Sequence, residues 1–504
     1  MRPARGAQTQ VDEPTSDRVS PNARRGSEPE IDLVARSYLF STLTLFLSVA
    51  IPIYLIVSVG AKNGPSIAWV SYFFVACFAG VRLSYLIAAL HRAWFTFTFY
   101  LYVYVFLGIA PMLERWVAVD PPTTPGVDHR YDPQTAIVVV LGIAAWELGR
   151  AVFKHSQRDV TSPQISSKPT VRKARVSIFV GLVGAGLNTA SVGLNSYFVG
   201  RGTALQLGIS KQTSPIAAVL AALAWIPLLI GVHAMIEAYR PRKVPTADRL
   251  LIILALGVLL TVINPISGAR YYFGTVYLSL LILTGVFRRP VAGRLVMVGI
   301  ILFAVFGFTA FDPRRIQTHG QRSSAAQTLS TSGDYDSVSQ ITNTIEYVHT
   351  EGLARGEQFL GPIGFVIPRS IWPSKPQDTG VVVALYKGYQ FTNLSEPLWA
   401  ELYINGGYPL VGVGFFAIGY IMERRQYAFS RGGGSIVLMS TVPVYMIIIL
   451  RGSLLQATGS FVVMIVSLWL VTRKRSIQSD SHQERGSIAA AGHVDKVNWI
   501  RANA

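Results

Sequence analysis

Twelve long apolar runs, separated by short basic stretches, limit what this chain can become. They are Tyr38–Val59, Ile67–Leu90, Phe95–Met112, Thr135–Phe153, Val176–Phe198, Ile216–Ala238, Leu250–Ile263, Tyr271–Phe287, Leu295–Phe311, Leu410–Met422, Ile436–Leu450 and Ser453–Val471. A helix that crosses a bilayer needs about 20 mostly apolar residues. Helices also satisfy their own backbone groups in hydrocarbon, which open strands cannot do. Several runs are shorter than that and must borrow flanking residues. Only 14% of the residues are charged, against roughly 25% in soluble domains. The expected fold is therefore an all-α polytopic integral membrane protein. It has about 12 transmembrane helices and one long outer loop that contains short helices.

The basic stretches set the expected orientation, because cytoplasmic loops are rich in Lys and Arg. The clusters are Arg172-Lys173-Ala174-Arg175, Arg240-Pro241-Arg242-Lys243, Arg288-Arg289, Arg424-Arg425 and Arg473-Lys474-Arg475. An even number of runs separates every pair of them, so all can share the cytoplasmic side. Both termini are then inside. The connections Ala61–Ser66, Glu114–Gln134, Gly200–Pro215 and Asp312–Pro409 are outside. Asn264-Pro265-Ile266-Ser267-Gly268 reads as a turn between two runs. Residues 1–36, rich in Pro, Ser, Arg and Glu, read as a disordered cytoplasmic tail. Residues 37–475 form the transmembrane domain, with 312–409 inserted, and 476–504 read as a mobile cytoplasmic tail. Arg24-Arg25 resembles a twin-arginine pair, but no hydrophobic region follows it directly.

Several function classes drop out. The net charge of +18 is dispersed among the loops and does not form one patch, so it speaks for anionic lipid and against nucleic acid. The single cysteine, Cys77, lies in an apolar run and permits no intrachain disulfide. HExxH, paired CxxC and Walker loops are absent, so neither a metal nor a cofactor is expected. No repeat appears at a fixed period, nor a pair of similarly interrupted runs of the kind that mark inverted-repeat transporters.

The long outer loop is where polar chemistry concentrates. Ser323–Gly333 is small and polar and reads as flexible. Val338, Ile341, Ile345 and Val348 follow helical spacing, with Asp334 as candidate N-cap. That helix would lie on the membrane surface or pack on the loop's own core. Farther on, Pro368, Pro373 and Pro376 stiffen a segment that carries Arg369, Trp372 and Lys375. Arg369 offers a planar fork for phosphate oxygens and Lys375 a point charge. Trp372 offers a flat face for a sugar ring or the headgroup level. The same residues equally suit a rigid loop that touches lipid headgroups.

Arg270 and Arg451 each sit between two apolar runs with almost no spacer. Each alone is an arginine that snorkels to the interface. With Arg369 they make three arginines expected on one face, which suits a diphosphate clamp. Glu396 and Glu401 enter the next run on the same side. Glu401 and Asn405 are four apart and share a helix face, with Tyr403 between them. Glu401 has two readings. It is a general base for a sugar hydroxyl, or a carboxylate that holds an arginine in place. His349 and His319 are the histidines near this site and read as surface residues.

At these residues the chain resembles the Wzy-type polymerases of oligosaccharide repeat units, which build O-antigen, capsule and exopolysaccharide. The resemblance covers roughly the second half of the chain. It rests on Gly268-Ala269-Arg270, on Pro368-Arg369 through Trp372-Pro373 to Lys375-Pro376, on Glu401 through Tyr403 and Asn405 to Gly407, and on Arg451-Gly452. The loop motif is the most specific of these. Pro409 departs from the pattern, which expects an unbroken run there, and puts the helical placement of Glu401 and Asn405 in question. The resemblance implies a metal-independent glycosyltransferase at the outer face of a bacterial inner (plasma) membrane, acting on undecaprenyl-diphosphate-linked oligosaccharide. Arg270, Arg369, Arg451 and Glu401 would be catalytic, and Trp372, Lys375, Glu396, Asn405 and Tyr403 would bind substrate. The bilayer is a partner, and a chain-length regulator and a flippase fit beside such an enzyme. Two rivals share the layout. An O-antigen ligase would lean on an outer histidine beside the arginines. A lipid-linked oligosaccharide flippase or transporter would line a central cavity with charges.

Overall fold

A computed structural model describes residues 28–60, 66–90, 93–156, 169–200, 215–240, 242–268, 270–307, 324–392, 394–431 and 434–472. Every regular element among them is helical, so the chain is an all-α polytopic membrane protein. Among the described residues, nine helices are long and apolar enough to cross a bilayer. They are α1 (Leu33–Val59), α2 (Ile67–Ala88), α3 (Trp94–Val117), α4 (His129–Ser156), α5 (Val171–Val192), α6 (Ile216–Tyr239), α9 (Pro290–Gly307), α14 (Leu398–Ser430) and α16 (Leu454–Thr472). Each matches one expected run. The other three runs form the shorter helices α7 (Thr246–Val262), α8 (Arg270–Leu283) and α15 (Ile436–Arg451). The fourteen residues of α8 rise only about 21 Å. The expected count of 12 thus rests on nine full-length helices and three short ones among the described residues.

Among the described residues, four short helices lie between α9 and α14: α10 (Ala325–Thr331), α11 (Ser337–Glu351), α12 (Glu357–Ile363) and α13 (Thr379–Tyr386). Three local expectations change here. The stretch read as flexible contains α10, started by a capping box between Ser324 and Gln327. The N-cap of α11 is Asp336 and not Asp334. And α11 does not lie on a surface. Besides Val338, Ile341 and Ile345, its Gln340, Thr342, Asn343 and Thr344 are fully buried. It packs against α4, α13 and α14. The first described residue, Glu28, is already helical, so residues 28–32 extend α1 where a disordered tail was expected. Residues 1–27 and 473–504 lie outside the described residues, as do most of the expected outer connections 61–66 and 200–215.

α3 forms the centre of the bundle. Up to Leu113 its side chains are mostly apolar on every face, and such a helix belongs inside. Almost all of it is buried, with Phe97, Phe99, Tyr100, Tyr102 and Tyr104 among the covered side chains. Phe99 stacks on Trp146 of α4 at 4.1 Å between ring centroids. The long contact between α4 and α14 depends on small residues, as helix pairs in lipid do. A Cβ at Gly149 would stand 2.1 Å from the Phe416 carbonyl oxygen, and one at Gly419 2.3 Å from that of Trp146.

α14 is two helical pieces joined at a break. Gly407 has φ 62 and ψ −154, a region that favours glycine. Glu401 and Asn405 lie on the first piece. Pro409 opens the second, where its missing N–H costs little. The motif's Glu and Asn are therefore helical despite the proline. At the α7–α8 junction, Asn264 makes the expected turn. Its Oδ1 accepts from the N–H groups of Ile266 and Ser267.

Candidate functional site

The end of the bundle that carries the long connection gathers the candidate residues into two groups. The first surrounds the turn Gly333–Asp336, between α10 and α11. Arg270 starts α8 and Arg451 ends α15, so each sits at a helix end and turns its side chain toward this turn. Arg270 Nε lies 3.0 Å from Asp334 Oδ2. Arg451 donates from Nε to the Asp334 carbonyl at 2.9 Å and from Nη2 to the Gly333 carbonyl at 3.2 Å. It also lies 3.6 Å from Asp336 Oδ1. Phe106 and Tyr271 present their faces to its guanidinium at 6.0 and 5.7 Å. Two arginines 181 residues apart in sequence thus meet at one turn.

Asp336 is tied down from both sides. Thr123 Oγ1 and Gln340 Nε2 donate to its Oδ2 at 2.7 and 3.2 Å. Burial pushes its carboxyl up, while the Arg451 charge opposes the rise. Burial also raises the Tyr335 hydroxyl to about 12. Next to this group, Arg115 clasps Asp132 through two bonds of 2.9 and 2.8 Å.

The second group is the proline segment, and it is knitted to itself. Arg369 donates to the carbonyls of Lys375 and Pro376, at 2.5 and 3.0 Å. Lys375 Nζ donates to the carbonyls of Phe365 and Ile367, at 3.0 and 3.2 Å. Trp372 Nε1 donates to Ser374 Oγ at 3.1 Å. Burial, with the Arg369 charge beside it, holds the Lys375 ammonium below its ordinary range. The structure brings Arg270 and Arg451 together, and directs Arg369 to a different segment.

Between the two groups lies a set of buried carboxyls. Glu401 accepts from Thr379 Oγ1 and from the Leu454 N–H at the start of α16, both at 2.8 Å. It therefore fixes the start of α16 three residues beyond Arg451. Asn405 donates to the Glu401 carbonyl and accepts from the Gln358 N–H, which docks α12 on α14. Tyr403 packs edge-on against Tyr408. Glu396 is fully buried and accepts from Thr344 Oγ1. Its Oε2 has no hydrogen-bond partner among the described residues. Burial raises its carboxyl well above the ordinary range, and the charges of Glu401, Asp378 and Asp336 add to the rise. Burial likewise raises Asp378.

Among the described residues no group of three or more His, Cys, Asp or Glu is placed to hold a metal ion. His349 packs its ring against Tyr131 at the far end of α11, and His319 lies outside the described residues.

Sequence reasoning missed Asp334, Asp336 and Asp378 as site components. Their signal was proximity to helix starts: all three lie within three residues of one. It also missed an ion-pair network within the spans. Glu147 of α4 receives Arg82 of α2 and Arg150, each at 2.8 Å, and Arg150 also bonds Glu423 of α14 at 2.8 Å. Charged residues inside apolar runs were the signal there, since such residues are costly in lipid and are kept with partners.

The chain matches no protein-family model, no curated protein and no solved structure.

Proposed function

We propose that the chain is a membrane glycosyltransferase that polymerises undecaprenyl-diphosphate-linked oligosaccharide units at the outer face of a bacterial inner membrane. The observation that carries this reading is the meeting of Arg270 and Arg451 at one turn. Their present partners are two carbonyls and two carboxylates. Oxygens of a diphosphate can take the same positions, because a guanidinium fork suits phosphate as well as carboxylate. Asp334 then acts as the internal anion that a bound diphosphate displaces from Arg270.

In this reading the growing chain is the donor. A hydroxyl of the incoming unit attacks the anomeric carbon, and the bond to the diphosphate oxygen breaks. The leaving group gains charge in the transition state, where the arginines stabilise it most. The attacking hydroxyl loses its proton late, to water or to the departing diphosphate, so less of the barrier falls to a base. Glu401 is a positioning residue here, through the start of α16. His349 supports polymerase over ligase. It stands twelve residues, roughly 18 Å, along α11 from Ser337, away from the arginines.

The test is polymer formation by the purified protein in liposomes, from a lipid-linked repeat unit. Arg270→Ala and Arg451→Ala should each lower the rate by about 100-fold or more, as loss of an oxyanion donor does. Lysine at either position should recover little, because it lacks the fork. Wild-type polymer yield from a folded Arg270→Ala protein would sink the reading.

A further inference from the structure

The segment from Leu360 to Ile371 has an apolar surface that none of the described residues covers. Leu360 is 46% exposed, Ile363 78%, Val366 67%, Ile367 41% and Ile371 75%. Apolar side chains scattered singly on a surface need no explanation, but a contiguous patch marks an interaction site.

Its position beside α16 identifies the partner. A Cβ at Gly361 would stand 3.8 Å from Leu455, and the Phe365 ring lies 3.6 Å from the Cβ position of Gly459. The nineteen residues of α16 rise about 28 Å, close to the hydrocarbon thickness of about 30 Å. Leu454 therefore sits near one boundary of the hydrocarbon. Gly459 is five residues farther in, roughly 7.5 Å deep. Phe365 reaches that depth, and the uncovered side chains flank it. Farther along α16, Val462, Ile465, Val466 and Trp469 are exposed as well.

The polar atoms of the segment make a second, independent case. In water, Lys375 and Arg369 would extend into solvent. Here both fold back onto main-chain carbonyls, four in all: Phe365, Ile367, Lys375 and Pro376. The Trp372 ring nitrogen is likewise turned to Ser374. Non-helical backbone next to lipid must have its carbonyls satisfied, because no water is there to do so. The two cations supply what the irregular backbone lacks.

We propose that residues 360–371 form a wedge that enters the boundary between headgroups and acyl chains, with Ile363, Val366, Ile367 and Ile371 against phospholipid tails. A depth of roughly 5–10 Å is usual for interfacial segments. The wedge lies on the side of the membrane that carries the long connection. The inference does not depend on the activity proposed above.

The experiment uses the full chain in liposomes, with Cys77→Ser as background. Single cysteines replace Ile363, Val366 and Ile371, and each carries a bimane probe. Val466→Cys reports the lipid-facing flank of α16. Arg130→Cys reports water, since the Arg130 side chain is 85% exposed. Brominated-acyl phospholipid should quench the three wedge probes at least threefold more than the Arg130 probe, and to a level near that of Val466. Aqueous iodide should quench them at least threefold less than it quenches Arg130. Iodide quenching equal to that at Arg130 would overturn the proposal and place the patch in water. Protection from both quenchers would overturn it too, and assign the patch to a second copy of the chain or another protein. Three probe sites keep the test decisive if one variant fails to insert.

Discussion

Arg451 directs its guanidinium to carbonyls 117 and 118 residues away in sequence. Arg369 directs its own to carbonyls six and seven residues away. The first joins the end of one membrane helix to a turn between two short helices. The second closes a single loop. Arg451 is 7% exposed and faces an acidic partner, Asp336, whereas Arg369 is exposed and bonds carbonyls alone. An arginine between distant elements sits at a junction that an anionic ligand can open. One that ties a loop to itself gives the loop its shape. The difference separates a candidate binding group from a candidate scaffold, although the two arginines look alike in the sequence.

The largest expected effect tests the junction. Arg451→Ala leaves Asp336 buried without its counter-charge. Breaking a buried pair costs about 3–5 kcal/mol. The thermal midpoint in detergent should fall sharply, and Asp336→Asn in the same chain should restore part of it. If the second change restores nothing, Arg451 is held by its carbonyl bonds alone, and the contrast with Arg369 weakens.

A smaller effect is expected at the loop. Arg369→Ala removes two bonds to carbonyls, one of them at the surface of the protein. Bonds with one charged partner contribute about 1.5–3 kcal/mol when well formed, and less at an exposed site. The loop should loosen, read as faster proteolysis near Lys375, while the rest of the bundle melts as before. Polymer yield should fall less than for Arg451→Ala. An equal fall would break the comparison and return Arg369 to the ligand.

The features legible in the sequence were those set by local composition and period. Each of the twelve runs holds a helix among the described residues, the turn at Asn264 is present, and Val338, Ile341 and Ile345 do form one buried face. Features set by partners far away in sequence were not legible. Nothing within ten residues of Asp336 shows that Arg451 will face it. Likewise, the short polar residues of α11 look solvated in sequence, because Gln340 and Asn343 are usually surface residues. They are buried because α4, α13 and α14 close around them. The proline motif was legible as stiff. Where its arginine would turn was not, since a guanidinium fork fits a phosphate and a pair of carbonyls equally well.

The smallest effect concerns charge itself, and it draws the two regions together. Burial pushes Glu396, between the two regions, toward its neutral acid, and Lys375, in the loop, toward its neutral amine. Take Glu396. Its folded value lies above its unfolded one, which is about 4.3. Between the two values the folded state binds more protons than the unfolded state, so stability falls as pH rises. The loss begins near the ordinary carboxylate range and continues until the folded group itself ionises. Glu396→Gln is always neutral and keeps an oxygen to accept from Thr344. The variant should therefore match the parent near pH 4.5 and lose less of its thermal midpoint on going to pH 8. A steeper loss for Gln than for Glu would show that the carboxylate is ionised in the folded chain, with an unseen cation beside it. Glu396 would then be a charged site in its own right, and not a neutral acid bonded to Thr344.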